Sequence, residues 1–132
     1  MVIKIGVLEL QGGFSLHHDI FHKIGIESIP VRLSSDLDKI DGLVIPGGES
    51  TTISLLIDSN NMHDSLLEFG RSNPVLGTCA GLILMANKNN DERVNQLGFL
   101  DITVKRNAYG RQTVSSEEII EFNFGLDNKI EL

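Results

Sequence analysis

Tryptophan is absent from this 132-residue chain, and there are only one tyrosine, three prolines and one cysteine. A lone cysteine excludes an internal disulfide and makes a reducing compartment the simplest expectation. No apolar run approaches the ~18 residues that a membrane-spanning helix needs. Positive charge is scarce as well. Eleven Lys and Arg stand against 18 Asp and Glu, for a net charge of −7. That balance excludes a basic face for nucleic-acid phosphates and an electrostatic hold on an anionic membrane.

What remains is ordinary globular material. The apolar fraction is 41% and the charged fraction 22%. A chain of this length suits one domain, 1–132, and buries roughly two-thirds of its unfolded surface. The first nine residues are apolar but interrupted by Lys4 and Glu9. They read as a first strand rather than a secretory signal, which leaves the cytoplasm as the expected location.

Short apolar runs alternate with amphipathic stretches, without repeats or low-complexity tracts. Strands are expected over residues 2–8, 28–33, 42–45, 74–77 and 100–106, with one more over 117–124. Helices are expected over 14–24, with Leu16, Ile20 and Ile24 on one stripe, and over 50–59, 62–70 and 80–87. Gly25 is placed to end the first helix and Ser50 to cap the second. This order predicts an α/β fold: an open, mostly parallel, doubly wound sheet with helices on both faces. Ligands of such sheets bind beyond the carboxyl ends of the strands, where the glycine-rich breaks of this chain fall.

The most informative segment is Gly77-Thr78-Cys79-Ala80-Gly81. It has the form G-x-C-x-G between a short apolar strand and a helix, the setting of a nucleophile elbow. Flanking glycines permit a sharp turn and close backbone approach. A helix start favours thiolate over thiol, and the Ala80 amide would be free to donate to an oxyanion. Against this stands a buried cysteine that packs as a small hydrophobe. The second segment is Pro46-Gly47-Gly48-Glu49-Ser50-Thr51-Thr52. Consecutive glycine amides after a strand form a nest for an anion or oxyanion. A plain turn with a Ser50 cap is the competing reading, and a phosphate loop is disfavoured because the Walker lysine is absent. The third is Arg106-Asn107-Ala108-Tyr109-Gly110-Arg111-Gln112, where Arg106 could hold a carboxylate bidentately or lie in a surface loop.

The histidines carry less. His18 and His22 are four apart on the first helix, but no carboxylate completes a ligand set, so no metal is expected. A solvated helix face is expected for them and for His17. His63 reads as a surface residue near a helix start, and Asp36, Asp38 and Asp41 as loop charges.

Together these segments resemble one family. Its opening turn is matched by Leu8-Glu9-Leu10-Gln11-Gly12. Its other elements are matched by residues 41–52, by Gly77-Thr78-Cys79-Ala80-Gly81-Leu82-Ile83-Leu84, and by residues 104–112. The family is the glutaminase subunit of pyridoxal 5′-phosphate synthase, a class I glutamine amidotransferase with a flavodoxin-like sheet. The resemblance runs from residue 2 to about 122. It implies hydrolysis of L-glutamine to L-glutamate and ammonia, with Cys79 attacking the side-chain amide carbon. Gly47, Gly48 and the Ala80 amide would lie around substrate and oxyanion, with Glu49 adjacent and Arg106 on the bound glutamine. It implies no cofactor. It also implies a hetero-oligomeric complex whose synthase subunit uses the ammonia to build pyridoxal 5′-phosphate from pentose and triose phosphates.

The family's triad His and Glu stand in a His-Pro-Glu segment near its C-terminus. These 132 residues end at Leu132 without that segment, and without the family's glutamine-binding Ile-Arg pair. Little hydrolysis by this chain alone is therefore expected, since forming and breaking a thioester both need proton transfer. An unpaired sheet edge with exposed apolar surface, and hence self-association, is expected too. Two other readings share the fold. One is a docking subunit without catalysis. The other is a different cysteine protein, such as a redox or stress hydrolase, which would leave the Gly47-Gly48-Glu49 and Arg106 segments unexplained.

Overall fold

The computed structural model describes residues 2–105. Strand β1 (Lys4–Leu8) leads through a glycine turn to helix α1 (Phe14–Lys23) and strand β2 (Glu27–Val31). A 3-10 turn (Ser34–Lys39) precedes β3 (Gly42–Ile45). Helices α2 (Ser50–Ser59) and α3 (His63–Ser72) then lead to β4 (Val75–Gly77), α4 (Ala80–Met85), β5 (Ala86–Asn89) and β6 (Leu100–Val104). The strand expected over 117–124 and Arg106 lie outside the described residues.

The first four strands form one parallel sheet in the order β2-β1-β3-β4. Side chains alternate between its faces. Leu8, Leu43 and Ile45 point into the main core with Ile53 and Ile57 of α2, Leu66 and Phe69 of α3, and Leu84 of α4. Val7 and Val44 are buried on the opposite face, where Phe21 of α1 shares a small apolar hollow with Ile5, Val44 and Leu76. The expected doubly wound arrangement is present, with α1 on one face and α2 to α4 on the other. β3 is buried at all four positions, as a central parallel strand requires.

Several local readings differ from expectation. Leu16, Ile20 and Ile24 do share a stripe on α1, but it faces solvent, each being more than half exposed. Period sets which residues share a face, not what that face meets. Helix α4 stops at Met85 rather than continuing to 87, because Ala86–Asn89 pair in parallel with β6. The 3-10 turn was not foreseen. Its Asp36 carboxylate accepts from the backbone N–H groups of Arg32 and Leu33 and from Lys39, so it is a cap rather than a loop charge. Those backbone bonds, then Lys39, lower its pKa.

Gly25 ends α1 as expected. It sits at φ +76°, its N–H bonds to the His22 carbonyl, and the Ile26 N–H bonds to that of Phe21. This pair of bonds is a Schellman closure, which needs a left-handed residue that glycine adopts without strain. Helix α1 is also tied to the sheet by polar groups. His18 Nε2 lies 2.6 Å from the Glu9 carboxylate, His18 Nδ1 lies 2.6 Å from Ser28 Oγ, and Arg32 donates to the other Glu9 oxygen. His18 is therefore not part of a solvated face. His63 is also only 20% exposed, with Nε2 3.2 Å from the Gln96 carbonyl.

Candidate active site

Three turns meet at the carboxyl ends of β1, β3 and β4. The turn after β4 holds Cys79. Thr78 is fixed on both sides, its N–H bonding to the Ile45 carbonyl at 3.1 Å and its carbonyl accepting from the Gly81 N–H at 2.8 Å. Cys79 must then reverse the chain in one residue. It does so at φ 49°, ψ −110°, a conformation rare for a residue with a side chain. The strain lifts its thiol out of the packed region, and Cys79 is exposed. This is an elbow, and the buried packing cysteine weighed against it is excluded.

The glycines around the elbow have distinct steric reasons. A Cβ on Gly77 would overlap the Gly81 backbone and the Met85 sulfur. A Cβ on Gly81 would overlap the Ile45 carbonyl, well inside the 3.0 Å that real Cβ atoms keep. Helix α4 thus lies directly on the ends of β3 and β4. Ala80 is buried and is the first residue of α4. Its N–H has no acceptor within the helix.

Gly47 stands next to the thiol. A Cβ built on it would lie 3.3 Å from Cys79 Cβ. Its carbonyl accepts from the Gly13 N–H at 2.8 Å, which draws the first turn over the site. Gly12, at φ +105°, allows that approach, since a Cβ there would overlap the Gly47 carbonyl. Gly48 packs against Gly12 and the Gln11 side chain. Gln11 Oε1 in turn accepts from the Glu49 N–H at 2.9 Å. Gln11 belongs to the matched opening turn, but its grip on the second loop was not foreseen. A polar side chain beside a glycine after a strand was the available signal.

Glu49, rather than Ser50, caps α2. Its carboxylate accepts from the N–H groups of Thr51 and Thr52, from the Thr52 hydroxyl at 2.7 Å, and from the Thr51 hydroxyl. Ser50 is buried, and its Oγ has no hydrogen-bond partner among the described residues. Hydrogen bonds from the Thr51 and Thr52 side chains hold the Glu49 pKa down at about 2, against 4.5 for an unperturbed carboxyl. A depressed carboxyl pKa contributes stability above pH 4.5, and that contribution is lost as pH falls through about 2. Thr51→Val should therefore move the Glu49 titration upward toward 4.5 in a carboxyl-resolved NMR experiment. An unmoved midpoint would show that the Thr51 hydroxyl does not hold the charge.

His17 also departs from expectation. It is half-buried at the start of α1, and its Nε2 lies 3.3 Å from Thr78 Oγ1, next to Cys79 in the chain. Among the described residues no group of three or more His, Cys, Asp or Glu could hold a metal ion. No described helix is long and apolar enough to cross a membrane.

Residues 7–131 match the SNO glutamine amidotransferase family. The chain belongs to that family. Among the relatives of this SNO-family chain is the pyridoxal 5′-phosphate synthase subunit PdxT of Thermotoga neapolitana. It is 48% identical over 120 residues, which are 90% of this chain and 64% of the relative. The PdxT of Shouchella clausii is also 48% identical, over 90% of this chain and 62% of its own length. The chain thus spans a little under two-thirds of the curated relatives it matches. A crystal structure of a glutamine amidotransferase superposes with a TM-score of 0.77 at 39% identity, covering 86% of this chain and 62% of that one.

Proposed function

We propose that this chain is the glutaminase subunit of a pyridoxal 5′-phosphate synthase, a cytoplasmic enzyme whose residues 1–132 form one glutaminase domain. The observation that carries the reading is Cys79, exposed at a strained elbow, with Gly47 against its Cβ and Ala80 opening the helix that follows. This is the arrangement acyl transfer from a small amide requires: a projecting thiol with backbone donors beside it.

In the proposed reaction, Cys79 Sγ bonds to the side-chain carbonyl carbon of L-glutamine. The carbonyl oxygen gains negative charge, and the Ala80 N–H is the donor aimed at it. The C–N bond then breaks, the nitrogen takes a proton, and ammonia leaves a glutamyl thioester. Water cleaves the thioester to glutamate and restores the thiol. Gly47 keeps a side chain out of the space beside Cys79, and Gly48 leaves room for Gly12 and the Gln11 side chain that packs there. The Glu49 carboxylate is engaged by α2, so its contribution is to fix the loop beside the substrate. Arg106 is proposed to hold the glutamine carboxylate. The ammonia passes to a synthase subunit in a hetero-oligomeric complex; relatives named as subunits of pyridoxal 5′-phosphate synthase support a multi-subunit setting. No cofactor is needed for this chemistry.

Proton transfer to and from sulfur is assigned to a His-Pro-Glu segment of the kind the family resemblance implies. The test compares ammonia release from glutamine by this chain and by the chain joined to such a segment from a relative. The joined chain should turn over at least about a hundredfold faster, the usual scale of a positioned general base. Equal rates would contradict the proton-transfer assignment, and ammonia release surviving Cys79→Ala would contradict the nucleophile.

A further inference from the structure

We propose that His17 is a positioning residue for the nucleophile elbow, acting through the Thr78 hydroxyl. The inference rests on the glutaminase reading above and concerns how that site is held in shape. Cys79 occupies a backbone conformation that a side-chain-bearing residue keeps only when its surroundings impose it. The backbone restraints on the C-terminal side are plain: the Gly81 N–H bonds to the Thr78 carbonyl, and the Ile83 N–H to the Cys79 carbonyl. On the N-terminal side the Thr78 N–H bonds to Ile45. Among the described residues, a side-chain hydrogen-bond contact reaches the elbow from His17, whose Nε2 lies 3.3 Å from Thr78 Oγ1 across 61 residues of sequence.

The origin of this contact lies in the first turn. The Gly13 N–H is bonded to the Gly47 carbonyl, so α1 starts against the loop that flanks Cys79. His17 is one turn into that helix, which directs its ring toward the elbow. His18, next along, turns the other way to Glu9 and Ser28 and anchors the helix to β1 and β2. Helix α1 thus holds the sheet with one histidine and the elbow with its neighbour. The His17 bond restricts rotation of Thr78, the residue that sets the direction from which Cys79 leaves the strand. Depending on the imidazole tautomer, Nε2 either donates to the hydroxyl or accepts from it.

The test measures two rates of modification at Cys79 by mass spectrometry. One uses 6-diazo-5-oxo-L-norleucine, an electrophile shaped like glutamine that reacts only from a bound and aligned pose. The other uses iodoacetamide, which needs an accessible thiol and little alignment. His17→Ala and Thr78→Val should each slow the first rate about tenfold, the scale of one lost side-chain hydrogen bond. Each should leave the iodoacetamide rate within about twofold, well short of that loss. The double variant should be no slower than the slower single one, because both remove the same bond. His17→Gln, whose amide can reach the hydroxyl, should restore most of the rate.

A general loosening would move both rates together, and that outcome overturns the proposal. So would additive losses in the double variant, or a His17→Ala chain that labels like the parent. If the parent itself is not modified by the glutamine mimic, the glutaminase reading fails and this inference with it. If the parent labels and the variants label equally, only the inference fails.

Discussion

Gly81→Ala should destabilise the chain by about 3 kcal/mol, at the upper end of what small-to-large changes cost. The added methyl has no free volume, because it would overlap the Ile45 carbonyl, which belongs to the central strand β3. Backbone on both sides makes accommodation costly: either α4 lifts off the sheet or β3 shifts against β1 and β4. Lifting α4 would also displace Cys79 and the Ala80 N–H together, so labelling at Cys79 by the glutamine mimic should fall with stability. Gly25→Ala is the matching control. Nothing lies within 4 Å of a Cβ there, and the position is disfavoured only by its φ of +76°. Its cost should be about 1 kcal/mol, the conformational term alone. Urea denaturation at constant m reads both values. Equal costs at the two glycines would mean that α4 does not pack on Ile45 as described.

Cys79→Gly should abolish modification by the glutamine mimic and at the same time stabilise the fold by about 1 kcal/mol relative to Cys79→Ala. The two effects have one cause. At φ 49° and ψ −110° a Cβ is unfavourable, and glycine is at ease. Strain of this kind costs about 1–3 kcal/mol, and the greater freedom of glycine in the unfolded chain offsets part of the relief. Alanine removes the sulfur but keeps the Cβ, so the pair separates chemistry from conformation. A glycine variant less stable than the alanine variant would show that the elbow is not strained. The strain would then have no part in exposing the thiol.

How much of this was legible in the sequence depends on whether the deciding contact is local. Residues 42–45 are four consecutive apolar-compatible positions closed by Pro46-Gly47-Gly48, and β3 has those bounds. Helix α2 ends at Ser59 as expected, but it starts with Ser50 inside the helix, because Glu49 and not Ser50 is the cap. The end of α4 was not legible. Residues 80–87 are acceptable to a helix throughout, and what stops it is the pairing of Ala86 with Leu100, a partner invisible to local pattern. The same holds for α1, whose apolar stripe was found while its direction was not. In the site, the elbow could be read from glycine spacing because the steric demands fall within five residues. The contacts of Gln11 with Glu49 and of His17 with Thr78 join segments that only the folded sheet brings together. A lone histidine on a helix carries no mark of such a partner.

The central claim is that Cys79 is a thiol built to attack glutamine. It is tested most directly by incubating the chain with 6-diazo-5-oxo-L-norleucine, with and without competing L-glutamine, and mapping the adduct by mass spectrometry. The predicted result is a single adduct on Cys79 whose formation slows as glutamine is added. Absence of an adduct on Cys79, or a rate indifferent to glutamine, would contradict it.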